Sequence, residues 1–196
     1  MELVPGLSLE KYVDENVIST LTEEQCRDVW LGAAQGLQWV HEKGLLYNDI
    51  KAENTMYDSK SRRTVLIDFG VATHNIGQYF SGGGTPCYIA PEYLLRQRYP
   101  VSDIWALGVL IMFAFKLIEL PQDTWKLDRV FDTGSPESVK MKAWIARVLG
   151  NINEAQPRHL ELLRRMMCMK PKERIQASGL VTCLVSQQCQ TLELLT

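Results

Sequence analysis

Tyr47-Asn48-Asp49-Ile50-Lys51-Ala52-Glu53-Asn54 carries the densest chemistry in the chain: a carboxylate, an ammonium and a carboxamide in one short run. Downstream, the apolar run Val65-Leu66-Ile67 stops at Asp68-Phe69-Gly70. Asp49, Asp68 and Asn54 together supply two carboxylates and an amide, the groups needed to aim a hydroxyl and to hold Mg2+ at a triphosphate. A third run follows, Gly84-Thr85-Pro86-Cys87-Tyr88-Ile89-Ala90-Pro91-Glu92. No glycine-rich phosphate loop and no Val-Ala-Ile-Lys strand precede these runs.

Local signals place each run. Thr22 with Gln25 forms a capping box that opens a helix over 23–43. Val29, Ala33, Leu37 and Val40 share one face of it, and Gly44 ends it. Leu45-Leu46-Tyr47, Thr55-Met56-Tyr57 and Val65-Leu66-Ile67 read as short strands, with a polar turn over 58–63. Residues 71–90 have no helical period and read as a long functional loop; Gly82-Gly83-Gly84 in it is a flexible segment, since no strand–helix frame surrounds it to make a phosphate cradle. Pro91 starts a short helix, Ser102 caps an apolar helix over 103–118, and further helices fit 137–149, 156–168 and 176–186.

With 196 residues, 46% apolar and 22% charged, the chain reads as one globular domain. Twenty-one basic against 23 acidic side chains leave a net charge of −2, no electrostatic reason to bind nucleic acid or an anionic membrane. The longest apolar run, Trp105 to Phe115, ends at Lys116 and is too short to cross about 30 Å of hydrocarbon, so it reads as a buried helix. The N-terminus has no basic n-region followed by an apolar stretch. Five cysteines without a CxxC pair read as free thiols in a reducing compartment. His41 reads as a packed or helix-terminal histidine. Taken singly, Asp68 reads as the cap of a turn and Asn54 as a turn residue.

The runs, in this order and spacing, resemble the catalytic half of a eukaryotic-type protein kinase over nearly the whole chain. The resemblance implies an α+β, mainly helical fold: a protein-kinase-like C-terminal lobe whose short β hairpins carry the catalytic and metal-binding loops. Residues 1–7 resemble the hinge between the two lobes and 8–196 the large lobe. Residue by residue, Asp49 matches the catalytic aspartate that orients the substrate hydroxyl, and Lys51 the lysine that neutralises the transferring phosphoryl group. Asn54 and Asp68 match the Mg2+ ligands. Thr85 matches the threonine that bonds the catalytic pair. Phe69 would pack under the site and Gly70 would let the loop turn. Glu2 and Val4 would offer backbone groups to adenine, with Met56 as its apolar floor. Asp103 matches the aspartate that holds the catalytic-loop backbone. Glu92 and Arg174 match a structural ion pair.

The implied activity is transfer of the γ-phosphoryl group of ATP, with Mg2+, to a Ser or Thr hydroxyl of a protein substrate in the cytoplasm or nucleus. Neither nucleic acid nor membrane is implied as a partner. The small lobe, with its glycine-rich loop, lysine and glutamate, has no counterpart in these residues. The chain alone is therefore expected to bind nucleotide weakly, or to need a partner that supplies that lobe, with an apolar patch around Leu3, Met56 and Phe69. A catalytically dead, protein-binding lobe is the alternative. A small-molecule phosphotransferase is a third reading, against which the Gly84–Glu92 run argues. Asn48 stands where many kinases have the arginine that meets a phosphorylated loop, so control through Thr73, Tyr79, Ser81 or Thr85 is not expected. Tyr47 stands where histidine is common, and its ring can still stack on Phe69.

Overall fold

The computed structural model describes residues 4–13, 20–74 and 82–193. The architecture is mostly helical with a few short antiparallel strands. Strand β1 (Leu7–Ser8) is followed by helix α1 (Glu23–Glu42), then β2 (Leu45–Leu46), β3 (Thr55–Asp58), β4 (Arg63–Leu66) and β5 (Thr73–His74). Helices α2 (Pro100–Ala114), α3 (Pro136–Asn151), α4 (Pro157–Met166) and α5 (Ala177–Glu193) complete the chain.

Helix α1 starts at the capping box: Thr22 Oγ1 accepts from Gln25 N at 3.2 Å, and Gln25 Oε1 accepts from Thr22 N at 2.9 Å. Val29, Ala33, Leu37 and Val40 are all buried, and Gly44 follows the helix at φ 71°. Helix α2 is the centre of the molecule, with almost every side chain from Asp103 to Ala114 buried. It begins earlier than its composition suggests. Pro100 occupies the first helical position, where its fixed φ suits the turn and its missing N–H costs nothing. Ser102 is consequently inside the first turn and not at the cap, with its Oγ accepting from Tyr99 N at 3.0 Å. Helix α5 extends well past residue 186.

Two small sheets sit against this helical body. In one, β3 lies between β1 and β4, with Thr55 opposite Leu66 and Ser8 opposite Met56. In the other, β2 pairs with β5, placing Leu46 opposite Thr73, a strand pair inside what composition alone marks as loop. The strands stop one residue short of their apolar runs for a reason that matters below. The N–H of Tyr47 goes to a carboxylate, and the N–H of Ile67 goes to Asn54 O at 2.9 Å.

The β3–β4 hairpin lies unusually close to α1. A Cβ on Gly32 would stand 2.7 Å from Thr64 Cβ, and one on Gly36 would stand 3.2 Å from Leu66 Cδ1. Asp28, one turn earlier, receives Tyr57 Oη at 3.1 Å and the Arg62 fork at 2.7 and 2.8 Å. The two glycines let the hairpin approach and Asp28 stitches it down.

The sign of glycine substitution therefore depends on position. Alanine normally stabilises a helix interior by about 0.5–1 kcal/mol over glycine, and Gly150→Ala, with open space around it, should follow that rule. Gly32→Ala should instead destabilise by about 1–2 kcal/mol, because overpacking against Thr64 outweighs the propensity gain. Urea denaturation of both variants checks the contrast. A second expectation concerns alkali. Burial raises Cys26 from its ordinary 9.0 to about 11 and Cys87 to about 12, and raises Tyr88 well above 10.0. The unfolded chain loses these protons first, so this stability is intact below pH 9 and falls as pH climbs through the raised values. Denaturation midpoints across that range should drop.

Candidate active site

The buried carboxylate of Asp103, in the first turn of α2, organises the loop after β2. Its Oδ2 accepts the N–H of Tyr47 at 2.9 Å and its Oδ1 accepts the N–H of Asn48 at 2.8 Å. His41 Nε2, from the last turn of α1, lies 2.9 Å from Oδ2; a carboxylate only accepts, so that nitrogen carries the proton. His41 is thus a partner of Asp103, a role that its position at a helix end does not reveal. Asn48 adopts φ 69°, a left-handed conformation that Asn tolerates better than most residues.

This bend delivers Asp49. Thr85 Oγ1 donates to Asp49 Oδ1 at 2.8 Å, while Asn54 Nδ2 and Lys51 Nζ both reach Asp49 Oδ2 at 2.9 Å. Asn54 Nδ2 also donates to the Asp49 carbonyl at 3.1 Å. Both neighbours of that nitrogen are acceptors, which fixes the amide orientation and leaves the Asn54 carbonyl oxygen for another partner. Burial works against the Lys51 ammonium, but its hydrogen bond to Asp49 and the charges of Asp49, Glu53 and Asp68 outweigh that, and its pKa moves up. Lys51 is charged at neutral pH.

The hairpin register brings the second carboxylate to the same end. Thr55 is opposite Leu66, so Asn54 and Ile67 meet just beyond the ladder, and Asp68 follows. Asp68 has φ 61° and its Oδ1 accepts the N–H of Gly70 at 3.0 Å, a side-chain turn that suits a left-handed aspartate. Asp68 is exposed. The charges of Asp49, Asp68 and Asp103 all bear on Tyr47, whose hydroxyl, raised chiefly by burial, donates to Ile67 O. Among the described residues no group of three His, Cys, Asp or Glu side chains is arranged around a common metal position.

Phe69 is 45% exposed. It meets Tyr47 edge to face, with centroids 5.1 Å apart and planes at 90°, and does not stack on it; opposite edge and face potentials favour this geometry. Met56 is half-buried on the outward face of β3, flanked by Ser8 and Val65, and Val4 is half-buried. Glu2, Leu3, Tyr79 and Ser81 lie outside the described residues.

Behind the site, the run after Thr85 is fixed to the helical body. Trp144 Nε1 of α3 donates to Cys87 O at 2.6 Å. Glu92 and Arg174 form a two-pronged ion pair at 2.7 and 2.9 Å, with side chains 2% and 0% exposed. Arg174 spends its remaining donors on Val101 O and Cys168 O at 2.9–3.0 Å and faces the Trp105 ring at 5.3 Å. Ser102 Oγ donates to Glu92 Oε1 at 2.6 Å. Arg98 donates to Gly83 O, an anchor that no sequence motif signals. The Gly32/Gly36 pair was legible only as two small residues one turn apart.

This geometry belongs to a recognised class. Residues 1–184 match the protein kinase domain, and the chain belongs to that family. It is similar to serine/threonine-protein kinase PEPKR2 of Arabidopsis thaliana, 31% identical over 211 residues that cover 94% of this chain and 44% of the relative. It is also similar to serine/threonine-protein kinase Nek8 of Danio rerio, 28% identical over 185 residues that cover 87% of this chain and 26% of the relative. To serine/threonine-protein kinase DCLK3 of Mus musculus it is 29% identical over 187 residues, 90% of this chain and 22% of the relative. The chain spans less than half the length of each of these relatives. No helix among the described residues is long and apolar enough to cross a membrane.

The Glu92–Arg174 pair makes a direct stability test. Arg174→Ala strands a buried carboxylate and should cost about 3–5 kcal/mol. Arg174→Lys keeps the charge but not the fork and should cost less. Equilibrium denaturation, with the urea slope compared between variants, reads both.

Proposed function

We propose that this chain is the catalytic, substrate-binding lobe of a serine/threonine protein kinase, transferring the γ-phosphoryl group of ATP to a protein hydroxyl. The observation that carries the proposal is the convergence of Thr85, Lys51 and Asn54 on Asp49. A carboxylate has about four acceptor positions, and three donors leave one open to an incoming hydroxyl. Asp49 holds and aims that hydroxyl, Lys51 stabilises the charge that develops on the transferred group, and Thr85 keeps Asp49 in place. The anchored run 84–92 offers a platform on which a protein substrate lies beside Asp49. The Ser/Thr assignment rests on the Asp49-Ile50-Lys51 spelling and on the class of the similar proteins.

The residues present suit ATP and Mg2+. The Asn54 carbonyl oxygen and the exposed Asp68 carboxylate are hard oxygen donors at one end of a hairpin, and Mg2+ takes few protein ligands beside phosphate oxygens. When bound, Mg2+ neutralises charge on those oxygens. Met56, on the outward face of β3, is the floor for the adenine ring in this reading.

The protein-binding alternative is favoured by one observation. Trp39, 57% exposed, and Phe69 line an open groove of about 810 Å3 along the α1–β4 contact, two exposed aromatic rings beside the charged side chains of Asp28, Arg62 and Arg63, a mixed surface suited to a protein partner.

Titration of the 196-residue chain with ATP, with and without Mg2+, tests the proposal. We expect binding weaker than low micromolar, dependent on Mg2+ and abolished by Asp68→Asn with the melting temperature held. Low-micromolar affinity would refute weak binding, and affinity indifferent to Asp68→Asn would remove Asp68 from the metal site. Any phosphotransfer to a protein substrate should disappear in Asp49→Asn.

A further inference from the structure

Among the described residues between Asp68 and Thr85, both limbs of the segment are held by residues that its own motifs do not include. On its outbound limb, Asn48 Nδ2 donates to Val71 O at 3.0 Å and to Thr73 Oγ1 at 2.9 Å. On its return, Arg98 donates to Gly83 O. Gly84, at φ 98°, is pressed between the two anchors: a Cβ there would stand 2.8 Å from Asn48 O and 3.2 Å from Arg98 Nη2. The next residue is Thr85, whose hydroxyl donates to Asp49.

Arg98 is itself fixed. Its guanidinium lies 5.0 Å over the Tyr93 ring. Tyr93 is buried and stacks on Phe131 at 5.4 Å and 21°, and Phe131 is covered in turn by the Arg96 guanidinium at 4.1 Å. Burial disfavours the Arg98 charge, while Asp103 and Asp49 lie close enough to favour it. A planar guanidinium can lie flat on a ring and donate in its plane at once; a lysine cannot do both.

We propose that Arg98 is a positioning residue for the Thr85–Asp49 contact. Together with Asn48 it latches both limbs of the segment through carbonyl and hydroxyl groups already in the chain, so the alignment needs no phosphate on the segment. Asn48 has no charge with which to bind a phosphate, and its amide is already committed to Val71 and Thr73. The functional meaning of the latch rests on the kinase reading above; the latch itself does not.

Amide hydrogen exchange of the full chain tests it. The probes are Tyr88 and Ile89, whose N–H groups donate to Thr85 O at 3.0 Å and Pro86 O at 3.2 Å. Arg98→Ala should speed their exchange by about tenfold to a hundredfold, the effect of losing one hydrogen bond from a charged donor, with α2 amides unchanged. Arg98→Lys should restore part of the protection. Asn48→Ala should speed exchange at β5. Phosphatase treatment should leave the Tyr88 and Ile89 rates as they were. Unchanged rates in Arg98→Ala would overturn the latch, and protection that vanishes on phosphatase treatment would overturn its independence of phosphate. Should Arg98→Ala also open α2, Arg98→Lys decides: faster exchange confined to 82–89 supports the latch, and none overturns it. Where phosphotransfer is measurable, Arg98→Ala should raise KM for the protein substrate and leave KM for ATP alone. No detectable binding of ATP with Mg2+ would count against the kinase reading and leave the exchange result standing.

Discussion

Everything at the site hangs from one buried carboxylate. Asp103 takes the N–H groups of Tyr47 and Asn48 and the ring of His41, and so ties the end of α1, the end of β2 and the start of α2 to a single point. A buried carboxylate without donors would be untenable; here about three of its acceptor positions are filled, which makes the loop geometry the condition of its burial. The left-handed turn at Asn48 follows, and it aims Asp49 away from the core toward the hairpin end.

The hairpin contributes the other half by register. Since Thr55 faces Leu66, the residues just past the ladder, Asn54 and Ile67, must meet, and Asp68 emerges beside them. A one-residue slip would turn Asp68 and Met56 to the wrong face. That register is held from outside by α1, through the close approach at Gly32 and the Asp28–Arg62–Tyr57 contacts. Precision at the carboxylates is therefore set partly by a helix face well removed from them.

Features decided by near neighbours were legible in the sequence. The Thr22/Gln25 box, the buried face of α1 and the glycine after it are local, and they stand as read. The three strands read from the sequence are present with shifted ends, β4 starting two residues early at Arg63, while β1 and β5 were not read from it. The residue-level errors have tertiary causes. Tyr47 leaves β2 because its N–H belongs to Asp103, 56 residues on. Ser102 is the exception, with a local cause: Pro100 starts the helix sooner, so Ser102 falls inside the first turn. Arg98 carries no motif, and its meaning exists only once Gly83 is folded back over it. The distant partners of Asp49, Asp103 and Glu92 came into view through family resemblance, which encodes tertiary contacts that periodicity cannot.

The four acidic groups around the site form a gradient of burial. Glu92 and Asp103 are buried, and each is enclosed by donors, arginine and serine in one case and backbone amides with histidine in the other. Asp49 is 11% exposed at its side chain and has three donors. Asp68 is exposed, with the Gly70 N–H on one oxygen. A group that must accept a new partner cannot be fully satisfied beforehand, and one that is fully satisfied is stable because nothing new can approach it. Exposure and spare acceptor capacity rise together from the core outward, which is the order in which these residues pass from holding the fold to facing solvent.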